Sequence, residues 1–333
     1  MERRNPYREL ITMLKKPLRK YLPQSVKAGL YKVYSTTIPL VLGKTLGVIG
    51  YNVSRQKDFY SPLPTVAALK KNQHRWYRPS DLSGINYNID EMKDLLSSLL
   101  ARYLDEFLEI PRYNDLKSQG FGLGYTPVDA LTLYLMIRHI KPARYIEVGS
   151  GLSTYYCSLA AKKNAEEGSP PLQIKCIEPY PFEKLYSIPG IEVLAKEVQD
   201  VEPAFFDQLD ENDVFFIDSS HSLRVDSDVP YLYLEILPRI RKGVFIHVHD
   251  ISFPYNFPYP PEQWIFDRAE PMFWNEAMVL QALLSGNDSF QILLSTPMIR
   301  FHDEEFLKTR IPIYETIDQN PNAFSSIWLK RTR

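Results

Sequence analysis

The chain has 333 residues, 44% of them hydrophobic and 24% charged, enough to bury a large core as one domain with an extension or as two domains. Lysine and arginine (39) balance aspartate and glutamate (40), so no overall field favours nucleic acid as the main partner. The 2 cysteines, Cys157 and Cys176, lack C-x-x-C spacing, which argues against a disulfide framework or a cysteine metal knuckle and points to a reducing, cytoplasmic compartment.

The first sixty or so residues read as helical or irregular. Their start is basic (Arg3, Arg4, Arg8, Lys15, Lys16, Arg19, Lys20, Lys27 and Lys32 against Glu2 and Glu9), interleaved with Leu10, Met13, Leu14, Leu18 and Leu22. Two readings stay open: an arm docked on its own domain, or peripheral contact with an anionic membrane surface. The apolar stretch 38–48 is short and interrupted by Lys44, so no transmembrane span is expected, and no cleavable signal. Residues 58–64 and 76–80 read as proline-fixed extended segments. A helix is predicted from Asp90, with Met92, Leu95, Leu96, Leu99, Leu100 and Leu104 as its apolar stripe and Pro111 as its end. Residues 1–118 are thus expected to form a helical extension and 119–333 the main domain.

The glycine-rich stretch 120–127 precedes a helix over 128–139, with Thr126 as N-cap and Pro127 at the first helical position. It is either a cover over a ligand, with Tyr125 touching it, or a plain linker. Strands are then predicted at 144–148, 174–177, 191–194, 214–217 and 243–248. Helices are expected over 152–163, 225–238 and 275–285. Late strands at 290–294 and 326–329 are joined by a long stretch read as irregular. Alternating strands and helices predict an α/β fold, a doubly wound and mostly parallel sheet.

In such sheets ligands bind beyond the carboxyl ends of the strands, and polar residues follow each predicted strand here. After the first comes Glu147-Val148-Gly149-Ser150-Gly151-Leu152-Ser153-Thr154. A dinucleotide fingerprint would carry a third glycine where Thr154 stands, and would not carry Glu147 inside the strand. What remains is an E-x-G-x-G turn leading to a helix N-terminus. Glu178-Pro179 ends the second strand, where a carboxylate can accept both hydroxyls of a ribose. Gln199 and Asp200 are placed to flank a base. Asp218-Ser219-Ser220-His221 and His247-Val248-His249-Asp250 end the fourth and fifth strands, with His247 and His249 on one face. Carboxylates with imidazole suit a divalent cation. The insert 252–264, with Tyr255, Tyr259 and Trp264, and then Phe273-Trp274-Asn275, reads as a substrate wall or as a packed loop.

Taken together, Ile146-Glu147-Val148-Gly149-Ser150-Gly151, Ile177-Glu178-Pro179, Ile217-Asp218-Ser219-Ser220-His221 and His249-Asp250 resemble class I S-adenosylmethionine-dependent methyltransferases. The likeness covers about residues 120–330 and extends, more distantly, to the metal-dependent macrocin-type sugar O-methyltransferases. It implies a seven-stranded Rossmann-like sheet ending in an antiparallel pair, S-adenosylmethionine as cofactor, and methyl transfer to an oxygen of a small molecule or glycan. It also implies cofactor contacts from Tyr125, Glu147, Gly149, Ser150, Gly151, Ser153, Glu178, Pro179, Gln199, Asp218 and Ser219, with Glu147 at the methionine end. By the same likeness His221 is the general base, Asp218 and Asp250 are catalytic, and Asp218, His249 and Asp250 hold a divalent metal, Mg²⁺ or Mn²⁺. The sugar enzymes have an acidic residue where this chain has His249, which shifts preference away from Mg²⁺ toward a transition metal or no metal. Two alternatives come from other classes. One is a metal hydrolase or oxygenase built on His247, His249 and Asp250, and the other a non-catalytic nucleoside-binding module.

Overall fold

The computed structural model describes residues 22–52, 61, 63–111, 113–121, 124–258, 260–314 and 325–333. The chain divides into two compact units, 1–73 and 74–333. In the first, helices Gln24–Lys32 and Ile38–Gly47 are joined by a wider turn over Val33–Thr37, and neither helix holds a buried residue. The basic residues before Leu22 and most of the expected extended segment 58–64 lie outside the described residues.

The second unit opens with α1 (Ile89–Leu108). The Asn88 side chain accepts hydrogen bonds from the N–H groups of Asp90 and Glu91, whose charges suit the helix N-terminus. Met92, Leu96, Leu99, Leu100 and Phe107 form its buried stripe. In α2 (Pro127–Ile140) Thr126 caps through its hydroxyl and Pro127 supplies the preset φ; the helix is buried almost all round, as its apolar composition requires. Arg138 on α2 is 1% exposed and bonds to Glu106 of α1 and to Asn164 and Glu167 at the end of α3 (Leu152–Glu166). This planar fork ties three helices together with its charge paired.

Among the described residues seven strands form one sheet in the order β3-β2-β1-β4-β5-β7-β6. They are β1 (Arg144–Val148), β2 (Gln173–Ile177), β3 (Ile191–Leu194), β4 (Val214–Ile217), β5 (Phe245–Val248), β6 (Phe290–Ser295) and β7 (Ile327–Arg331). β1 to β5 are parallel; β7 runs antiparallel between β5 and β6, and the β6 ladder slips at Ile292/Leu294. Strand β4 is buried at every position, the state expected of an apolar strand covered on both faces. The doubly wound, mostly parallel sheet with a helical N-terminal segment is therefore present.

Two elements differ from expectation. The stretch before β7 read as irregular begins with a helix, α5 (Thr296–Arg310), whose start is marked by Ser295 accepting from the Met298 N–H and by Pro297 in the first turn. Met298, Ile299 and Leu307 are its buried large apolar side chains, with Phe306 partly buried, so periodicity was weak there. The helix expected over 225–238 starts at Asp228 and runs in wide turns over Tyr231–Ile236 before tightening over Leu237–Arg239. Pro238 has no N–H to donate, so a regular ladder cannot continue through it. The helix expected over 275–285 is α4 (Glu276–Leu284).

Candidate active site

The strand order reverses between β1 and β4, and ladder hydrogen bonds run one residue past the strands there. The N–H of Gly149 donates to Ile177 O (3.0 Å), that of Glu178 to Leu194 O (3.1 Å), that of Asp218 to Val148 O (2.8 Å) and that of His249 to Ile217 O (2.9 Å). Four sequence-predicted residues thus stand abreast at the carboxyl edge, where open α/β sheets bind ligands.

A cavity of about 330 Å³ lies over this edge. Gly149, Glu178, Pro179, Gln199, Asp218 and Ser219, named from the sequence as cofactor contacts, line it beside Ser220 and together with Tyr180, Glu197, Arg224 and Asp228, which sequence reasoning missed. The Glu178 carboxylate accepts from the Tyr180 N–H (2.8 Å), and burial holds its pKa above the usual glutamate value. Gly149 has φ +80°, and a Cβ there would stand 2.3 Å from the carbonyl oxygen of Asp218. At Gly151 a Cβ would stand 2.7 Å from the carbonyl oxygen of Phe121, so both turns close only with glycine. Between them the Ser150 hydroxyl is buried without a hydrogen-bond partner among the described residues.

Glu147, Ser153 and Tyr125 lie behind this wall rather than in it. Glu147 is fully buried and accepts from the hydroxyls of Ser153, Thr154 and Tyr145. Thr154 in turn accepts the Gly151 N–H (3.1 Å), so the threonine in place of a third glycine pins the turn to the buried acid. Burial raises Glu147 to about 7, against the opposing pull of these hydroxyls. Tyr125 is buried, donates its hydroxyl to Asp129 O (3.2 Å) and packs its ring 4.8 Å from that of His249.

The second group of predicted residues forms a continuous network. His221, in a left-handed conformation (φ +58°), places Nδ1 2.7 Å from Glu276 and Nε2 3.4 Å from Asp218 and 3.2 Å from Asp250. Its backbone is fixed by Ser219 Oγ on the N–H (2.9 Å) and by the Asn275 N–H on the carbonyl (2.9 Å). His249 places Nδ1 3.3 Å from Asp218 and Nε2 3.3 Å from Asp129 and 3.2 Å from Ser325 Oγ. Asp129 also accepts from Thr126 Oγ1 (2.6 Å) and Ser325 Oγ (2.9 Å). Burial disfavours charge on both imidazoles, but the carboxylates facing them outweigh it and raise both well above the ordinary histidine value. Burial likewise pushes Asp218 up, and His249 and His221 overcome it, holding that carboxyl well below the usual range.

Asp218, His221 and Asp250 each turn one ligand atom to a common point, all within 4.8 Å of one another. His249 lies beside them, 3.7 Å from Asp250, with its far nitrogen committed to Asp129 and Ser325. His247 takes no part. It is sandwiched between Trp328 (4.2 Å) and Phe216 (4.6 Å), neither ring nitrogen has a partner among the described residues, and burial drives its pKa well below the ordinary value. Of the expected aromatic wall, Trp274 packs 4.3 Å from His221 and Trp264 4.5 Å from Trp274, while Tyr255 stacks on Tyr77 (5.3 Å). Tyr259 lies outside the described residues.

Asp129, Glu276 and Ser325 are site residues that the sequence reading missed. A faint signal existed: Asp129 is the acid three residues after the Thr126 cap, and Glu276 the first-turn acid after Asn275, both ordinary marks of helix starts.

A family model described as a methyltransferase domain matches residues 146–251, from β1 to just past Asp250. An uncharacterised protein of Archaeoglobus fulgidus is 30% identical over 169 residues, 46% of this chain and 72% of that protein. Among solved structures, a putative O-methyltransferase from Klebsiella pneumoniae is similar at 13% identity over 73% of this chain and 99% of that one, with a TM-score of 0.41. An O-methyltransferase from Bacillus cereus in complex with SAH is similar at 12% identity, over 73% of this chain and 100% of that one, with a TM-score of 0.41. The matched span is the one that carries the E-x-G-x-G turn, the Glu178 strand end and the Asp218–Asp250 network: over it the chain belongs to that methyltransferase-domain family.

Proposed function

We propose that the protein transfers a methyl group from S-adenosylmethionine to an oxygen of a small molecule or sugar. Asp218 carries this reading: it lines the cavity beside Gly149 and Glu178, and its carboxylate meets His221 and His249. Cofactor site and proton-handling network therefore share one wall. S-adenosylmethionine brings a methyl group already activated on a sulfonium, which leaves the protein to position the acceptor and take one proton.

Each role has a matching observation. Glu178, at the β2 end of the cavity, accepts the ribose hydroxyls, and Gln199 lies beside the base. The turn Gly149–Gly151 admits the methionine end and offers the unpartnered Ser150 hydroxyl, while Glu147 holds that turn from below through Ser153 and Thr154. His221 accepts the acceptor's hydroxyl proton at Nε2, with Glu276 orienting the ring from Nδ1. A sulfonium arriving beside Asp218 competes with the imidazolium and favours the neutral ring a base needs. Trp274, next to His221, and Trp264, packed on Trp274, give the acceptor's ring an apolar face.

A second reading rests on the common point of Asp218, His221 and Asp250. Two carboxylates and an imidazole fit a divalent cation, and the nitrogen leans away from Mg²⁺. Such an ion would lower the acceptor's hydroxyl pKa, and His221 would then be its ligand rather than the base.

Titrating S-adenosylmethionine calorimetrically, with Mn²⁺ or Mg²⁺ and again with EDTA, tests both. Binding is expected in both conditions, weakened on the order of 10–100-fold in Glu178→Ala by loss of hydrogen bonds to a charged group. No binding in either condition would overturn the cofactor assignment. Turnover that survives EDTA but not His221→Ala makes His221 the base; turnover lost to EDTA and restored by Mn²⁺ makes it a ligand.

A further inference from the structure

The near-neutral net charge conceals a polarised chain. Its first 57 residues hold 12 Lys/Arg against 2 Asp/Glu, leaving 27 against 38 for the rest, and no acidic residue occurs between Leu10 and Lys57. The helices described in that region bury nothing and leave large apolar side chains in solvent: Val26 43%, Leu30 37%, Ile38 44%, Leu40 56%, Val41 55% and Val48 86% exposed. Apolar residues scattered singly on a surface need no explanation, but a continuous run of them on helices without a core does.

The distribution selects the partner. Leu40 and Val41 are consecutive, so about 100° separates them around the helix axis. The exposed apolar surface therefore wraps the helix broadly instead of forming the narrow seam that one partner helix, such as that of a second copy, would cover. A surface of this kind fits an apolar medium. Lys27, Lys32 and Lys44 interrupt it with cations and nothing anionic, the complement of lipid phosphates, since lysine stems can lie on acyl chains while the ammonium groups reach the headgroups. Nucleic acid would satisfy the charge and leave the leucines and valines exposed. No helix among the described residues is long and apolar enough to cross a membrane.

We propose that residues 24–49 lie on an anionic membrane surface, with Leu30, Ile38, Leu40, Val41 and Val48 at the headgroup–acyl boundary and Lys27, Lys32 and Lys44 among the lipid phosphates. This is independent of the methyl-transfer reading.

Co-sedimentation of the full chain with vesicles tests it. The chain is expected to pellet with phosphatidylcholine–phosphatidylglycerol vesicles and much less with phosphatidylcholine alone. Combined Lys27→Glu, Lys32→Glu and Lys44→Glu changes should lower the partition coefficient on the order of 100-fold, about fivefold for each lysine near the surface. Leu40→Asp with Val41→Asp should abolish pelleting while the thermal unfolding transition stays unchanged. A wild-type chain that remains in the supernatant with phosphatidylglycerol present overturns the proposal. So does equal pelleting of wild type and both variants, and so does a dimer in sedimentation equilibrium that the Leu40→Asp/Val41→Asp pair breaks, because a second copy would then own the surface.

Discussion

Glu147 is an acid that burial brings near half-protonation at neutral pH, since its carboxyl is raised to about 7 against an ordinary glutamate value of 4.5. The unfolded chain loses that proton at the ordinary value while the folded chain keeps it. The contribution is therefore fully present below about pH 4.5 and is lost as pH rises through about 7, at roughly 3 kcal/mol in all. Chemical denaturation across this window should show wild-type stability falling with pH by more than that of Glu147→Gln; parallel profiles would mean that Glu147 titrates normally. The role proposed for Glu276 runs instead through His221, whose Nδ1 it faces at 2.7 Å. Glu276→Gln should cut kcat by about 10–100-fold, as loss of an orienting partner does elsewhere, with cofactor affinity in calorimetry unchanged; unchanged turnover would leave Glu276 a merely structural acid. Both acids bear on what the sequence can reveal. Glu147 was legible because it interrupts an apolar strand just before a glycine turn. Glu276 and Asp129 were not, because each sits in a first helical turn where acids occur for electrostatic reasons alone, and only packing brings them to the histidines.

At the scale of elements, the turn after β1 is the tightest joint of the site, with two strand ends brought together over a position that has no room for a side chain. Gly149→Ala meets the Asp218 carbonyl at 2.3 Å in a backbone conformation that also disfavours alanine. A loss of about 2–4 kcal/mol in denaturant unfolding is expected, with cofactor binding lost at the same time. Retention of both would mean that β1 and β4 can part without consequence. The strands were readable because each is a short apolar run closed by a polar residue, and the register then sets those closing residues abreast. Helix α5 was harder to read because its start signal, Ser295 with Pro297, introduces a largely polar body. The run after Asp228 was read as an ordinary helix because periodicity does not register the missing N–H of Pro238.

Across the whole molecule, the sequence speaks clearly about the sheet edge and poorly about what reaches it from a distance. Ser325 enters the His249–Asp129 network from just before β7, 76 positions beyond His249 in the chain, and nothing local marks it. That placement follows from an order in space that departs from the order of synthesis. β7 is made after both β5 and β6 yet lies between them, hydrogen-bonded to each. As the chain leaves the ribosome, the first five strands can assemble early, while β6 waits as an unpaired ribbon and β5 keeps one hydrogen-bonding edge open. Arrival of β7 closes that edge and delivers Ser325 to the imidazole in a single event. A chain halted at that stage would have the cavity beside β1, β2 and β4 but no Ser325 at His249, and the edge of β5 would be the one open to a chaperone.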